Sequence, residues 1–127
     1  MAKAKNDGNL PQGSLDLLVL KALSAGSKHG YAVARHIQLA SEDFLKVEEG
    51  SLYPALHRME RRGWIAAEWG LSEANRRAKY YKLTQSGRKQ LKVEVAAWRA
   101  MVEAIGKVLE PAPAKLLPVP VPVRGRQ

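Results

Sequence analysis

The sequence predicts a mainly α-helical chain with one small β-hairpin, closed by a long C-terminal helix. Three observations carry this. Helical periodicity marks three short segments before residue 63. Two strand-like segments rich in aromatic and β-branched residues then flank a polar, basic link. After Thr84 the apolar residues settle into a heptad spacing that lasts until Pro111.

The first helix is predicted from Ser14 as N-cap, with Asp16 favourably placed in the first turn. Leu15, Leu18, Val19, Ala22 and Leu23 follow helical spacing, and Leu17 and Leu20 add apolar surface on other faces. Such a helix must be enclosed on more than one side. Gly26 ends it. The second helix runs from about Gly30 to Ala40, with Tyr31, Val33, Ala34 and Ile37 as apolar contacts. The link that follows carries Phe44, Leu45 and Val47, so it is partly buried.

The third helix starts near Gly50 or Ser51. Pro54 is read as lying in its first turn, where a missing N–H costs little. Leu52, Leu56 and Met59 form an apolar stripe, and Pro54, His57, Arg58 and Arg61 fall on the opposite side. Gly63 suits the residue after the helix, and Trp64 can fold back on its end. Residues 64–69 and 79–84 read as the two strands, with Trp64 and Trp69 as hairpin packing. The tip between them carries Arg76 and Arg77.

Thr84 can cap the last helix. Leu91, Val95, Trp98, Val102, Ile105 and Leu109 are spaced as an a/d seam, which Met101 widens. The helix is long for so small a core, so the seam is expected to pack against a second copy of the chain. The chain thus divides into a flexible basic arm at 1–13, a three-helix and hairpin unit at 14–84, a dimerisation helix at 85–110 and a Pro-rich disordered tail at 111–127.

Composition narrows the function. Lys and Arg total 21 against 12 Asp and Glu, a net charge of +9 that favours a polyanionic partner. The absence of cysteine excludes disulfides, thiolate zinc sites and cysteine nucleophiles. The three histidines have no matching acid cluster, so no metal site and no cofactor are expected. No apolar run reaches the ~18 residues of a membrane span, and the N-terminus lacks a secretory signal's apolar core. A soluble intracellular protein is the expectation. Neither a Gly-rich phosphate loop nor a nucleophile motif is present, so no enzyme is expected.

Three helices, a hairpin and a long helix follow the order of a winged helix-turn-helix with a dimerisation helix appended. A helix fits the major groove, about 12 Å wide, and reads it with a polar and basic outer face. Here that face carries His57, Arg58 and Arg61, while Ser51 and the N–H groups at the helix start suit a phosphate oxygen. Arg76, Arg77 and Lys79 can reach phosphates or the neighbouring minor groove. The expected DNA-binding set is therefore Ser51, Tyr53, Pro54, His57, Arg58, Arg61, Arg76, Arg77 and Lys79. The competing reading is a winged-helix protein–protein adaptor that does not bind DNA sequence-specifically. Such an adaptor would lose the basic outer face that this sequence keeps.

The stretches His29-Gly30-Tyr31, Glu49-Gly50-Ser51-Leu52-Tyr53-Pro54-Ala55-Leu56-His57-Arg58-Met59-Glu60 and Gly63-Trp64-Ile65 resemble the PadR family of bacterial regulators. So does Tyr80-Tyr81-Lys82-Leu83-Thr84 followed by Gly87, and the resemblance spans about residues 14–109. The single C-terminal helix looks like the compact, acidobacterial-type branch. The resemblance implies a homodimeric repressor on inverted-repeat operators in double-stranded DNA, often with ATGT and ACAT halves. It implies that Ser51 and Tyr53 contact phosphates or the groove. It also implies a small hydrophobic or aromatic effector at the dimer interface, for which Trp98 and Met101 are the candidates. The Pro-rich tail has no counterpart in the family pattern.

Overall fold

The computed structural model describes residue 10 and residues 13–110. The expected arm and tail lie, those few residues apart, outside this range. The described chain forms α1 (Ser14–Ser24), β1 (Lys28–His29), α2 (Gly30–Ala40), α3 (Glu49–Arg61), β2 (Ile65–Leu71), β3 (Arg77–Leu83) and α4 (Gln85–Leu109). Its contacts divide it into a unit ending at Val95 and a second beginning at Ala96.

The first unit is built around the faces that periodicity picks out. Val19, Leu20 and Leu23 of α1 meet Val33 and Ile37 of α2 and Leu52, Leu56 and Met59 of α3, all buried. Ile65, Tyr81 and Leu83 close this core from the sheet. Leu20 points away from the main stripe of α1 yet is fully buried, as an enclosed helix requires.

Two helix starts differ from expectation. Gly13, not Ser14, occupies the N-cap of α1, with φ 85°; Ser14 enters the helix as its first residue and is buried. α3 begins at Glu49, so Pro54 stands in the second turn rather than the first. The helix absorbs it because only one bond is lost. The Gly50 carbonyl has no donor four residues on, and Gly50 is exposed to water.

The end of α3 is a Schellman turn. Gly63, at φ 79°, donates its N–H to the Glu60 carbonyl, and the Trp64 N–H reaches the Met59 carbonyl at 3.0 Å. This turn delivers the chain into β2. The sheet has three strands, not two, in the order β1-β3-β2, all antiparallel. β1 pairs Lys28 with Tyr81 and His29 with Tyr80. Two residues are too few to show a period of two, and the sequence disguises them as the break between α1 and α2.

The hairpin strands run further than expected, in register from Ile65↔Leu83 to Leu71↔Arg77. Ile65, Ala67, Trp69 and Leu71 share one face. The inner end of that face is core, whereas Trp69 and Leu71 lie past its edge and are exposed. Ser72 and Arg76 close the tip: the Ser72 N–H donates to the Arg76 carbonyl at 2.8 Å, and Asn75 takes the left-handed conformation at φ 60°.

Thr84 caps α4, as expected. Its Oγ1 accepts from the Gly87 N–H at 3.0 Å and donates to the Gly63 carbonyl at 2.6 Å. One hydroxyl thus ties the start of α4 to the turn after α3. Leu91, expected in a seam between copies, is half-buried against the core of its own chain. No helix among the described residues is long and apolar enough to cross a membrane.

Candidate nucleic-acid interface

α3 presents its outer face because its inner one is committed. Leu52, Ala55, Leu56 and Met59 are buried at helical spacing. That leaves Ser51, Tyr53, Pro54, His57 and Arg61 exposed on the opposite side. Arg62 is also exposed at the helix end, its guanidinium 5.1 Å from the centroid of the Trp64 ring.

Two of the expected DNA-binding cations are engaged inside the protein. The Arg58 guanidinium donates to Asp16 of α1 at 2.5 Å, with the two side chains 39% and 17% exposed. Arg58 therefore braces α3 against α1 instead of standing free on the outer face. The wheel places it on the outer side with His57 and Arg61, but its long side chain turns back to reach Asp16. Lys79 is half-buried with its Nζ 3.4 Å from Glu60, and so links the sheet to the end of α3. No sequence signal joins residues as far apart as Asp16 and Arg58, so both acidic partners were missed.

Arg76 and Arg77 stand exposed at the wing tip, and among the described residues neither forms an ion pair. Arg77 lies over the Trp69 ring, 4.5 Å from its centroid. Trp69 is 56% exposed, so its expected role as hairpin packing is corrected to a surface contact with arginine. Period two on β2 does put it on the core face; what the sequence does not show is where the core stops.

Between the wing and the start of α3 lies an open groove of about 520 Å³, with Tyr31 and Tyr53 on one wall and Trp69, Arg76, Arg77 and Lys79 on the other. Tyr31 is largely exposed, not the apolar contact expected of it. Its ring stacks near His29, whose Nδ1 accepts the Ala32 N–H at 3.2 Å and so caps α2. The groove thus joins the exposed helix face to a cationic hairpin tip. A helix face and a wing so arranged can bracket one phosphate strand while the helix enters the major groove.

The comparisons decide the family. A model described as the transcriptional regulator PadR-like family matches residues 19–93. The chain belongs to this family. The PadR-like match takes in α2, α3, the whole sheet and the first part of α4. A transcriptional regulator from Clostridium thermocellum has a similar structure, with TM-score 0.71 and 28% identity over 78% of this chain and 93% of that one. A PadR family regulator from Eggerthella lenta is 33% identical, with TM-score 0.66 over 80% and 86% of the two chains. Another from Clostridium difficile is 29% identical, with TM-score 0.66 over 77% and 100%. An uncharacterized protein of Lysinibacillus sphaericus is 26% identical over 99 residues, 78% of this chain and 91% of that protein. The protein is a winged-helix transcriptional regulator of the PadR type, and DNA is the partner of that class.

α4 carries the remaining expected residues. Val95 is half-buried; Trp98, Met101, Val102, Ile105 and Leu109 are exposed, Leu109 by 78%. Among the described residues no cluster of three His, Asp or Glu side chains is placed to hold a metal ion.

Proposed function

We propose that this PadR-like protein is a homodimeric repressor that binds inverted-repeat operators in double-stranded DNA in the bacterial cytoplasm. The observation that carries this is the exposed outer face of α3, Ser51, Tyr53, Pro54, His57 and Arg61, set beside a wing tip whose two arginines form no ion pair among the described residues. Arg61 is the residue best suited to a base edge, and Ser51 and Tyr53 to phosphate oxygens. Repression is the sense that the family resemblance implies.

The uncovered apolar residues of α4 support a second copy as its partner. Trp98, Val102, Ile105 and Leu109 follow a/d spacing along a helix of 25 residues, roughly 38 Å at 1.5 Å per residue. Two copies joined there give the two-fold symmetry that an inverted repeat mirrors. Trp98 and Met101 would receive a small hydrophobic or aromatic effector that relieves repression.

The test is selection of duplexes from a random library by the purified protein, then anisotropy titration. A palindromic consensus is expected, with affinity falling steeply with salt at roughly −0.9 in log–log slope per phosphate contact. Arg61→Ala should weaken the selected duplex by ~1–3 kcal/mol relative to wild type. No enrichment over random duplex would sink the proposal, and would favour the adaptor reading if a protein partner co-purified in its place.

A further inference from the structure

The DNA reading leaves Trp69 without a role. It is the largest side chain of the wing and stands more than half exposed on a polar hairpin. The core does not need it: the same face of β2 is already closed by Ile65, opposite Leu83.

Its surroundings show what it does touch. Trp69 pairs directly with Lys79, and Arg77 is its diagonal neighbour on the same face, opposite Leu71. The Arg77 guanidinium lies 4.5 Å from the indole centroid, within the range of a cation–π contact, for which tryptophan is the best ring. The backbone beneath is braced from the other face. Tyr80 packs on Gly70 and donates its hydroxyl to the Leu71 carbonyl at 2.7 Å. The tip beyond is closed by the Ser72–Arg76 hydrogen bond. Arg77 is thus an exposed cation on a braced hairpin, without an ion pair among the described residues and with an aromatic plane beneath it.

An exposed arginine normally loses rotamer freedom when it binds, and one already stacked loses less. Narrow, A·T-rich minor grooves attract arginine by their enhanced negative potential. We propose that Trp69 is a specificity-determining positioning residue that orders Arg77, so that the wing discriminates the minor groove flanking each half-site. The proposal rests on the DNA reading above and extends it to a residue outside α3.

The experiment uses the full chain and the duplex that wild type selects, built once with A-tract flanks and once with G·C flanks. Wild type should prefer the A-tract duplex. Trp69→Leu keeps apolar bulk and removes the aromatic face. It should lower affinity for the A-tract duplex about two- to fivefold and erase the flank preference, leaving the melting temperature unchanged. Trp69→Phe should retain most of the preference. In an Arg77→Ala background, Trp69→Leu should cost nothing further. Arg77→Lys, which keeps the charge but not the planar stack, reads the same coupling should Trp69→Leu fold poorly; it should lose the preference too.

A flank preference that survives Trp69→Leu or Arg77→Lys overturns the assignment. So does a Trp69→Leu loss that multiplies with the Arg77→Ala loss, or a wild type indifferent to its flanks. Each of these leaves selective operator binding intact, and so is distinct from failure of the DNA reading, in which wild type selects no duplex at all.

Discussion

The Tyr53 ring lies against the backbone of Gly30 so closely that a Cβ added there would sit 2.7 Å from the phenolic oxygen. This contact joins two pieces of sequence that look independent, the His29-Gly30-Tyr31 start of α2 and the Ser51-Leu52-Tyr53-Pro54 start of α3. Gly30 does not need unusual backbone freedom, because it is the first residue of α2 after a capping His29. It is small so that a ring can pass over it.

Gly30→Ala should therefore act on Tyr53 more than on the fold. The ring is partly exposed and can swing outward, so stability should stay within about 1 kcal/mol of wild type, the centre of the usual range for a point substitution. Affinity for the selected duplex should fall by about 1.5–3 kcal/mol, the worth of one hydrogen bond to a charged phosphate. In a Tyr53→Ala background the same substitution should cost no affinity. Anisotropy titrations of the four proteins give the cycle. An undiminished affinity in Gly30→Ala would mean that the position of Tyr53 does not matter to DNA.

Gly87 meets a harder obstacle. A Cβ there would fall 2.0 Å from the Trp64 carbonyl oxygen, a backbone atom held by the Thr84 N–H at 3.0 Å. Neither side can yield without opening the junction of α3, β2 and α4. Gly87→Ala should lower the denaturant midpoint by the equivalent of about 3 kcal/mol, the upper end of the usual cost of overpacking. A midpoint equal to wild type would show that the junction relaxes freely.

These two glycines mark how far the sequence can be read. The faces of the helices were plain, because burial at i, i+3 and i+4 repeats through Leu52, Leu56 and Met59 whatever lies opposite. The turn at Gly63 was plain for the same reason: its bonds are local. What stayed hidden depends on distant partners or on where the core ends. Arg58 belongs to Asp16 and Lys79 to Glu60, and neither pairing leaves a periodic trace. Lys28 and His29 form a strand only because Tyr80 and Tyr81 lie beside them. Trp69 obeys the alternation of β2 and is exposed all the same, since the helices beneath have run out.

Alkaline pH should expose the burial of Tyr81. This phenol lies in the core, and desolvation raises its pKa above the ordinary 10.0; nearby Lys79 opposes the rise, and Glu60 and Tyr53 add to it. A raised folded-state pKa means that the unfolded chain releases its proton first. The contribution is complete below pH 10 and is lost as pH climbs from there through the folded-state value. Urea midpoints should fall over that window, and Tyr81→Phe should flatten the fall. An equal decline in the variant would assign it to other groups.

Substitutions along α4 should separate two kinds of loss. Leu91 packs on the core of its own chain, whereas Trp98 and Ile105 are 41% and 49% exposed. Leu91→Ala should cost about 1–2 kcal/mol, below the 2–5 kcal/mol of a fully buried leucine because it is only partly enclosed. That loss should not change with protein concentration. Trp98→Ala and Ile105→Asp should leave the intrinsic stability of the winged-helix unit near wild type and instead shift sedimentation toward the monomer. They should also weaken binding to the full palindrome far more than to a single half-site, because only a dimer engages both halves at once. Equal losses on palindrome and half-site, with sedimentation unchanged, would place the dimer contact elsewhere. Were these variants fully dimeric but deaf to an aromatic effector, the exposed tryptophan would be a ligand platform and not the centre of the seam.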